Sequence, residues 1–363
     1  MKILVDARLG WGSGIGRHIA NTVPMVARMR PDLHFDAQVM PQDAERAAQA
    51  FAGVPNLALK TVDISPFSLA EQRQLPATAV GYDLTWFTNY WVPLAWSGRY
   101  IATVHDLLHL MPDLFPASPV KRVLSQQTFA KLSRSAAAIS FGSRFSQQEF
   151  ERRFGRVAHS RVHYYGIDHG DWPPFDPMNP PTKQKRLLAV GASKKHKNFD
   201  TLLAAWQRAQ VGDAWTLTII SPDEKLRSSI DLQSMSAGTG RTVVRQGVSN
   251  EELRNLYAET AIMLTPSLYE GFGLPFMEAM QAGAFCITST ADSMVEIGEG
   301  AFAYYVNGRD TDGWVKAIEN TCRMIDDDSF DLTAIQRHNM QHAAQFNWQS
   351  VAEITAGLID EIF

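Results

Sequence analysis

The stretch Thr265-Pro-Ser-Leu-Tyr-Glu270-Gly-Phe-Gly-Leu-Pro-Phe-Met-Glu278-Ala-Met280 reads as a strand end, a glycine-containing loop and a helix start. The apolar run Ala261–Thr265 stops at Pro266. Pro275 suits a first helical position, where its missing N–H would have no intrahelical partner. Gly271 and Gly273 let the loop backbone approach a ligand closely. Glu270 lies in the loop, and Glu278 lies at the helix start, where a carboxylate complements the positive end of the helix dipole. Both carboxylates can accept hydroxyl hydrogen bonds, and one of them reads more naturally as a ribose clamp than as half of a glycosidase pair.

Outward from this unit, short β-rich runs alternate with helical patterns, the mark of parallel sheets covered by helices in an α/β fold. Downstream of residue 183 the strand candidates are Arg186–Val190, Thr216–Ile220, Thr242–Gln246, Ala261–Thr265, Phe285–Thr288 and Ala303–Val306. Asn198–Ala209, Ser249–Glu259, Pro275–Ala282 and Asp310–Ile325 read as helices. Upstream, Ile3–Val5, Phe35–Met40, Leu57–Val62, Leu84–Phe87, Tyr100–Val104, Ala137–Ser140 and Val162–Tyr165 read as strands, with helices over Arg17–Arg30 and Val120–Ser135. Between the halves, 171–181 holds five of the chain's 18 prolines, a density that forbids helix and interior strand. The pattern predicts a first domain over 1–170, a Pro-rich linker over 171–183, a second domain over 184–345 and a C-terminal helix over 346–363. In such sheets ligands bind beyond the carboxyl ends of the strands, so the loops after the strands carry the function.

The 363 residues are 45% hydrophobic and 20% charged, ordinary for a globular protein, with a net charge of −4 that argues against a nucleic-acid partner. The average conceals an uneven distribution. Residues 1–118 carry a net −1, residues 119–161 a net +7 and residues 162–363 a net −10. Cys286 and Cys322 show no disulfide or metal spacing and read as reduced thiols of a cytoplasmic protein. Asp6 interrupts any signal-peptide core, and no apolar run approaches the ~18–20 residues that cross a bilayer.

Two further loops follow first strands. Gly10, Gly12, Gly14 and Gly16 are spaced by two, which misses the dinucleotide fingerprint and disfavours an NAD enzyme. The loop reads equally as a phosphate or sugar cradle and as a tight strand-to-helix turn. In Gly191-Ala-Ser-Lys194-Lys195-His196-Lys197-Asn198, three lysines and a histidine crowd a helix start, the end that prefers anions. A bound pyrophosphate would resolve that conflict. The plain alternative is a solvated charged loop.

Taken together, these residues resemble a known family. Glu270 and Glu278, separated by seven residues inside Pro-Ser-Leu-Tyr-Glu-Gly-Phe-Gly-Leu-Pro-x-x-Glu-Ala-Met, are similar to the signature of the retaining, nucleotide-sugar-dependent glycosyltransferases of family 4. Gly14-Ile15-Gly16-Arg17, Thr103-Val-His105-Asp106-Leu, Ser143-Arg-Phe-Ser146, Gly166-Ile-Asp168, Lys197-Asn198, Val248-Ser-Asn-Glu-Glu-Leu253 and Phe346-Asn-Trp348 resemble further landmarks of that family. The resemblance implies the GT-B fold, two Rossmann-like domains with parallel sheets facing across a cleft. It also implies roles. Glu278 would bind the donor ribose, Glu270 the transferred sugar, and the N–H groups of Gly271, Phe272, Gly273 and Leu274 sugar and phosphate. Lys197, with Lys194 and His196, would face the diphosphate, as would Gly14, Ile15 and Gly16. His105 would lie near the sugar as a catalytic residue with Glu270 and Lys197, and Asp106 and Arg17 would lie on the acceptor side. The motifs look most like the bacterial mannosyltransferase branch. The implied reaction moves a hexose, mannose from GDP-mannose in the first instance, to a saccharide or lipid-linked saccharide, with retention and without a metal or other cofactor.

The chain departs from the family at His196, where many members carry Arg, at Ala192, and at Gly283-Ala-Phe-Cys286 in place of Gly-Thr-Pro-Val. Asp326-Asp-Asp328 mimics the metal-binding Asp-x-Asp of other transferases but follows a helical pattern, where a solvated charge run fits better. The basic 119–161 region has two readings. In one, Val120, Val123, Leu124, Phe129 and Leu132 and the surrounding Lys and Arg rest on an anionic membrane, making the enzyme peripheral to its inner face. In the other, the apolar side is core and the charges are solvated. The functional alternatives are a sugar-nucleotide epimerase on the same fold and a non-catalytic sugar-nucleotide-binding protein.

Overall fold

A computed structural model describes residues 1–167, 175–191, 194–222 and 240–363. In the first half, β1 (Lys2–Asp6), β2 (His34–Val39), β3 (Leu57–Thr61), β4 (Leu84–Phe87), β5 (Tyr100–Val104), β6 (Ala138–Phe141) and β7 (Ser160–Val162) form one sheet. Its order is β3-β2-β1-β4-β5-β6-β7. In the second half, β8 (Gln184–Val190), β9 (Thr216–Ile220), β10 (Arg241–Arg245), β11 (Thr260–Thr265), β12 (Phe285–Ser289) and β13 (Ala303–Val306) form another, in the order β10-β9-β8-β11-β12-β13. Every pairing is parallel. Both sheets reverse direction once, between β1 and β4 and between β8 and β11. Loops diverge to opposite faces at such a switch point and leave a crevice there.

The helices are α1 (Gly14–Met29), α2 (Ala44–Ala50), α3 (Leu69–Thr78), α4 (Pro119–Ser135), α5 (Arg144–Phe154) and α6 (Phe199–Arg208). They continue with α7 (Asn250–Glu259), α8 (Leu274–Gln281), α9 (Asp292–Ile297), α10 (Thr311–Asp326), α11 (Leu332–Ala343) and α12 (Trp348–Glu361). By contacts the chain divides into one unit of Met1–Pro112, Pro116–Gly166 and Asn347–Phe363, and a second of Asp113–Phe115 and Ile167–Phe346. The α12 helix contributes Ala352, Ala356 and Ile359 to a core with Ile3 and Val5 of β1 and Ile19, Val23 and Val26 of α1. Each large apolar side chain buried there contributes about 1.5–3 kcal/mol. The second unit has its own core, in which Trp206, Trp215 and Trp314 cover Leu217, Ile262, Leu264 and Ile287.

The structure corrects several boundaries. The strand expected over Val162–Tyr165 is Ser160–Val162, ending before Tyr164 turns to a φ of +35°. The α1 helix begins at Gly14 rather than Arg17, because the Ser13 hydroxyl caps it. Helices α2, α3, α5, α9 and α11 are additions to the expectation. The α3 helix carries Pro76 inside it and few buried residues, so no apolar stripe announced it. Asp168, residues 171–174 of the linker and Ala192 lie outside the described residues.

Candidate functional site

Lys197 follows β8 and Glu270 follows β11, so the β8/β11 switch point brings together two residues 73 positions apart. The Lys197 Nζ donates to Glu270 Oε1 at 2.6 Å, and the Ser267 hydroxyl donates to the same oxygen at 2.6 Å. The two side chains are 20% and 11% exposed, so the pair lies at the edge of solvent. Among the described residues Glu270 Oε2 accepts nothing and the other Lys197 N–H bonds have no acceptor. Burial by itself would raise the Glu270 pKa, but the Lys197 charge and the Lys197 and Ser267 hydrogen bonds hold it below the ordinary carboxylate value. The carboxylate is therefore ionised, fixed by one oxygen, and open at the other.

The loop after Glu270 is pinned from behind. Ser293 at the start of α9 donates to the Glu270 carbonyl at 2.7 Å. Gly273 adopts φ +97°, and a Cβ there would lie 2.6 Å from the Met294 sulfur, so only glycine fits. No side chain caps α8, and the Gly271, Gly273 and Leu274 N–H groups donate no hydrogen bond among the described residues. Unused amides at a helix N-terminus favour an anion. Phe272 is buried, its ring 5.7 Å from that of Phe346. Glu278 is not at the helix start as expected: α8 begins at Leu274, so Glu278 falls in its second turn, where it is 2% exposed and accepts from the Tyr257 hydroxyl of α7 at 2.8 Å.

The basic loop divides into different jobs. Lys194 is exposed, and its carbonyl accepts the Lys197 N–H at 2.8 Å. His196 points inward, with Nδ1 unbonded among the described residues and its pKa pulled down to about 4, first by burial. It is neutral at pH 7 and adds no charge for a diphosphate. Asn198 takes the left-handed conformation, and its side-chain amide donates to the carbonyls of Pro266 at 3.0 Å and Gly308 at 2.6 Å. This Asn builds the site by tying the loop after β8 to those after β11 and β13.

In the first unit the glycine loop is a tight turn. The Gly16 N–H donates to the Gly10 carbonyl at 2.8 Å, and a Cβ on Gly16 would lie 2.5 Å from Trp11 Cα. The Ile15 N–H turns to the Ser13 hydroxyl at 3.3 Å, so two of the three amides read as phosphate ligands are used internally. Gly14 opens α1, and Arg17 is half-buried on its first turn. His105 is buried at the end of β5. Its Nε2 meets the Thr88 carbonyl at 2.8 Å, its Nδ1 meets the Tyr165 hydroxyl, and burial pulls its pKa down to about 4. The carbonyl requires an Nε2–H, so Tyr165 donates to Nδ1 and His105 is neutral with both nitrogens engaged. Asp106 Oδ1 accepts the Leu108 N–H at 2.8 Å.

The sequence reading missed the polar network at the β1/β4 switch point. Arg8 donates to Asp6 at 2.8 Å, Glu71 at 2.7 Å and the Ile64 carbonyl at 2.7 Å, with the Arg8 and Glu71 side chains fully buried. Glu71 also accepts from Trp91 Nε1 and the Phe67 N–H, both at 2.8 Å. No sequence spacing links Asp6, Arg8, Glu71 and Trp91. Ser267, Ser293 and Tyr257 were missed for the same reason.

The basic region is partly neutralised. Arg152 and Arg153 pair with Glu149, Arg156 with Glu151 and Arg161 with Glu361. Phe129 and Leu132 are core, whereas Val120 and Val123 are exposed. No helix among the described residues is long and apolar enough to cross a membrane. Asp326 ends α10 and holds Lys185 at 2.7 Å and Trp215 Nε1 at 3.1 Å, so that carboxylate is structural. No group of His, Cys, Asp or Glu that could hold a metal occurs among the described residues.

Two α/β units, each a parallel sheet with one switch point, make up the GT-B fold. The solved structure of sucrose-phosphate synthase from Thermosynechococcus elongatus superposes with a TM-score of 0.76 at 19% identity, covering 100% of this chain and 99% of that one. The Anabaena protein HepE, solved in complex with UDP-glucose, superposes with a TM-score of 0.72 at 16% identity over 99% and 100%. Residues 184–323 match the family described as Glycosyl transferases group 1, so the second unit carries a domain of that family. The O-antigen chain mannosyltransferase B of Escherichia coli is 28% identical over 264 residues, 69% of this chain and 68% of that protein. The GDP-mannose:cellobiosyl-diphosphopolyprenol alpha-mannosyltransferase of Komagataeibacter xylinus is 28% identical over 187 residues, 50% of this chain and 46% of that protein. The match thus spans two thirds of the first relative and about half of the second.

Proposed function

We propose that the protein transfers a hexose, with mannose from GDP-mannose the first donor to try, to a saccharide or lipid-linked saccharide acceptor. The observation that carries this reading is the Lys197–Glu270 pair, with one carboxylate oxygen, two ammonium hydrogens and three loop amides left for a ligand. The relatives named as mannosyltransferases support mannose. In this reading Lys197 and the Gly271, Gly273 and Leu274 amides take up the charge that develops on the leaving diphosphate, the work a metal does elsewhere, so no cofactor is required. Glu270 Oε2 accepts from a hydroxyl of the transferred hexose and orients it, and Glu278 accepts from the ribose. The reaction retains configuration. The anomeric carbon–phosphate oxygen bond breaks, the acceptor oxygen bonds on the same face, and its proton passes to an oxygen of the departing diphosphate.

A thermal-shift panel of nucleotide sugars tests the donor, since a ligand bound only to the folded state at 100 times its Kd stabilises by about 2.7 kcal/mol. GDP-mannose should give the largest shift, and a UDP-sugar giving it instead overturns the donor assignment. GDP-mannose consumed without acceptor to give an isomerised GDP-sugar would indicate an epimerase. Binding without any turnover across an acceptor panel would indicate a binding protein.

A further inference from the structure

Lys183 stands where the Pro-rich segment enters β8. Its ammonium donates to the carbonyls of Ala258 at 2.9 Å and Ala282 at 2.5 Å, with Tyr257 at 3.4 Å. Tyr257 and Ala258 lie in the last turn of α7, and Ala282 lies just beyond α8. The last carbonyls of a helix have no intrahelical partner, and the negative end of the helix dipole favours a cation there. One ammonium thus meets two helix ends with three donors for three acceptors. The same two helices carry Tyr257 and Glu278, joined by the 2.8 Å hydrogen bond. The backbone before Lys183 is anchored as well, since Gln336 of α11 donates to the Pro181 carbonyl at 2.8 Å.

We propose that Lys183 is a positioning residue for the nucleotide: by fastening the carboxyl ends of α7 and α8 to each other it fixes the Tyr257–Glu278 hydrogen bond, and with it the carboxylate that meets the donor ribose. The proposal rests on the reading of Glu278 as a donor-binding carboxylate. Burial draws the Lys183 pKa down to about 7, so the fastening is proton-dependent near neutrality. The titratable group facing it from β12 is Cys286, whose thiol burial pushes far up and keeps neutral. From α7 and α8 the ammonium meets backbone carbonyls, while the Tyr257 phenol and the Glu278 carboxylate on those helices are joined to each other.

The experiment is calorimetric titration with GDP-mannose from about pH 6 to about pH 8.5, a window in which free carboxylates and phenols do not titrate. Wild-type Kd should weaken as pH rises through about 7. Lys183→Arg keeps its cation throughout and should bind with a flat profile. Lys183→Met should bind about tenfold more weakly, also with a flat profile, and its loss should not add to that of Tyr257→Phe, because the two act through one hydrogen bond. A flat wild-type profile, an arginine variant that follows the wild-type curve, or additive losses would overturn the proposal. The wild-type curve needs no variant to fold. Glu278→Gln is the separate control: if it leaves Kd unchanged, the donor-site reading fails, whereas a weakened Glu278→Gln beside a flat wild-type curve overturns the Lys183 role alone.

Discussion

Glu270→Gln separates the two halves of the candidate site because it should move them in opposite directions. The amide keeps the shape and an oxygen for Ser267, but it removes the charge that holds Lys197 at 2.6 Å. A hydrogen bond to a charged acceptor is worth about 1.5–3 kcal/mol and a neutral one about 0.5–1.5 kcal/mol. The sugar hydroxyl on Oε2 therefore loses about 1–2 kcal/mol, which is about 5- to 30-fold in kcat/KM. Removing the carboxylate also releases the ammonium, which is only 20% exposed, to the diphosphate. GDP, which has no sugar to lose, should bind as tightly as before or up to about tenfold more tightly. The assays are calorimetry with GDP and the rate of GDP release from GDP-mannose. Lys197→Met is the counterpart and should weaken GDP by about tenfold or more, since the diphosphate then loses its point charge. Because the Glu270 pKa is held below its ordinary value, the contrast should persist unchanged from about pH 5 to about pH 8. If GDP affinity fell in Glu270→Gln as steeply as turnover, the carboxylate would be supporting the loop and the division of roles would be wrong.

Other substitutions probe the supports. Gly273→Ala places a methyl 2.6 Å from the Met294 sulfur at φ +97°. The left-handed backbone alone costs about 1–2 kcal/mol, so a melting scan should show a drop of several degrees together with loss of the GDP-dependent shift, and an unchanged shift would refute the tight loop. Arg8→Met strands two carboxylates that arginine now joins, and should cost about 3–5 kcal/mol in urea denaturation, with Arg8→Lys a poor rescue because one ammonium cannot reproduce the fork. An Arg8→Met midpoint equal to wild type would contradict the network. Acid should unfold the first unit through its buried histidines. His18 lies with ring centroids 5.3 Å from His105 and 5.2 Å from His163, and burial first of all lowers all three pKa values, to about 4 for His105 and about 3 for His163. The unfolded chain then binds more protons below about 6.5, so stability is complete above that pH and is lost as pH falls through about 4. Urea midpoints between about pH 7 and about pH 5 should show the decline, and a flat series would contradict it.

Much of the fold was legible because its signals are local. A parallel strand buried on both faces is a short apolar run, and a proline or serine at a helix start constrains the same turn it occupies. That places Pro275 within one residue of its expected position and explains the miss of α3, which contains Pro76. For the site, the motif stretch put Glu270, Gly271 and Gly273, and the basic loop put Lys197, in loops that follow strands. It could not show that His196 turns inward and stays neutral, or that Ile15 and Gly16 spend their amides within their own turn. Those outcomes depend on which neighbours bury a ring or accept an N–H.

The sequence by itself determined two α/β halves, the loops that follow their strands and the residue types available in them, because periodicity, glycine and proline act over a few residues. Only the tertiary structure decided that Lys197 and Glu270 meet across the β8/β11 switch point. It likewise decided that Ser267 and Lys197 share one carboxylate oxygen and leave the other open. Tyr257 reaching Glu278, Lys183 fastening two helix ends and Arg8 joining Asp6 to Glu71 belong to the same class. The reason is physical: a hydrogen bond acts within about 3 Å, and only the folded sheet order brings residues so distant in the chain that close.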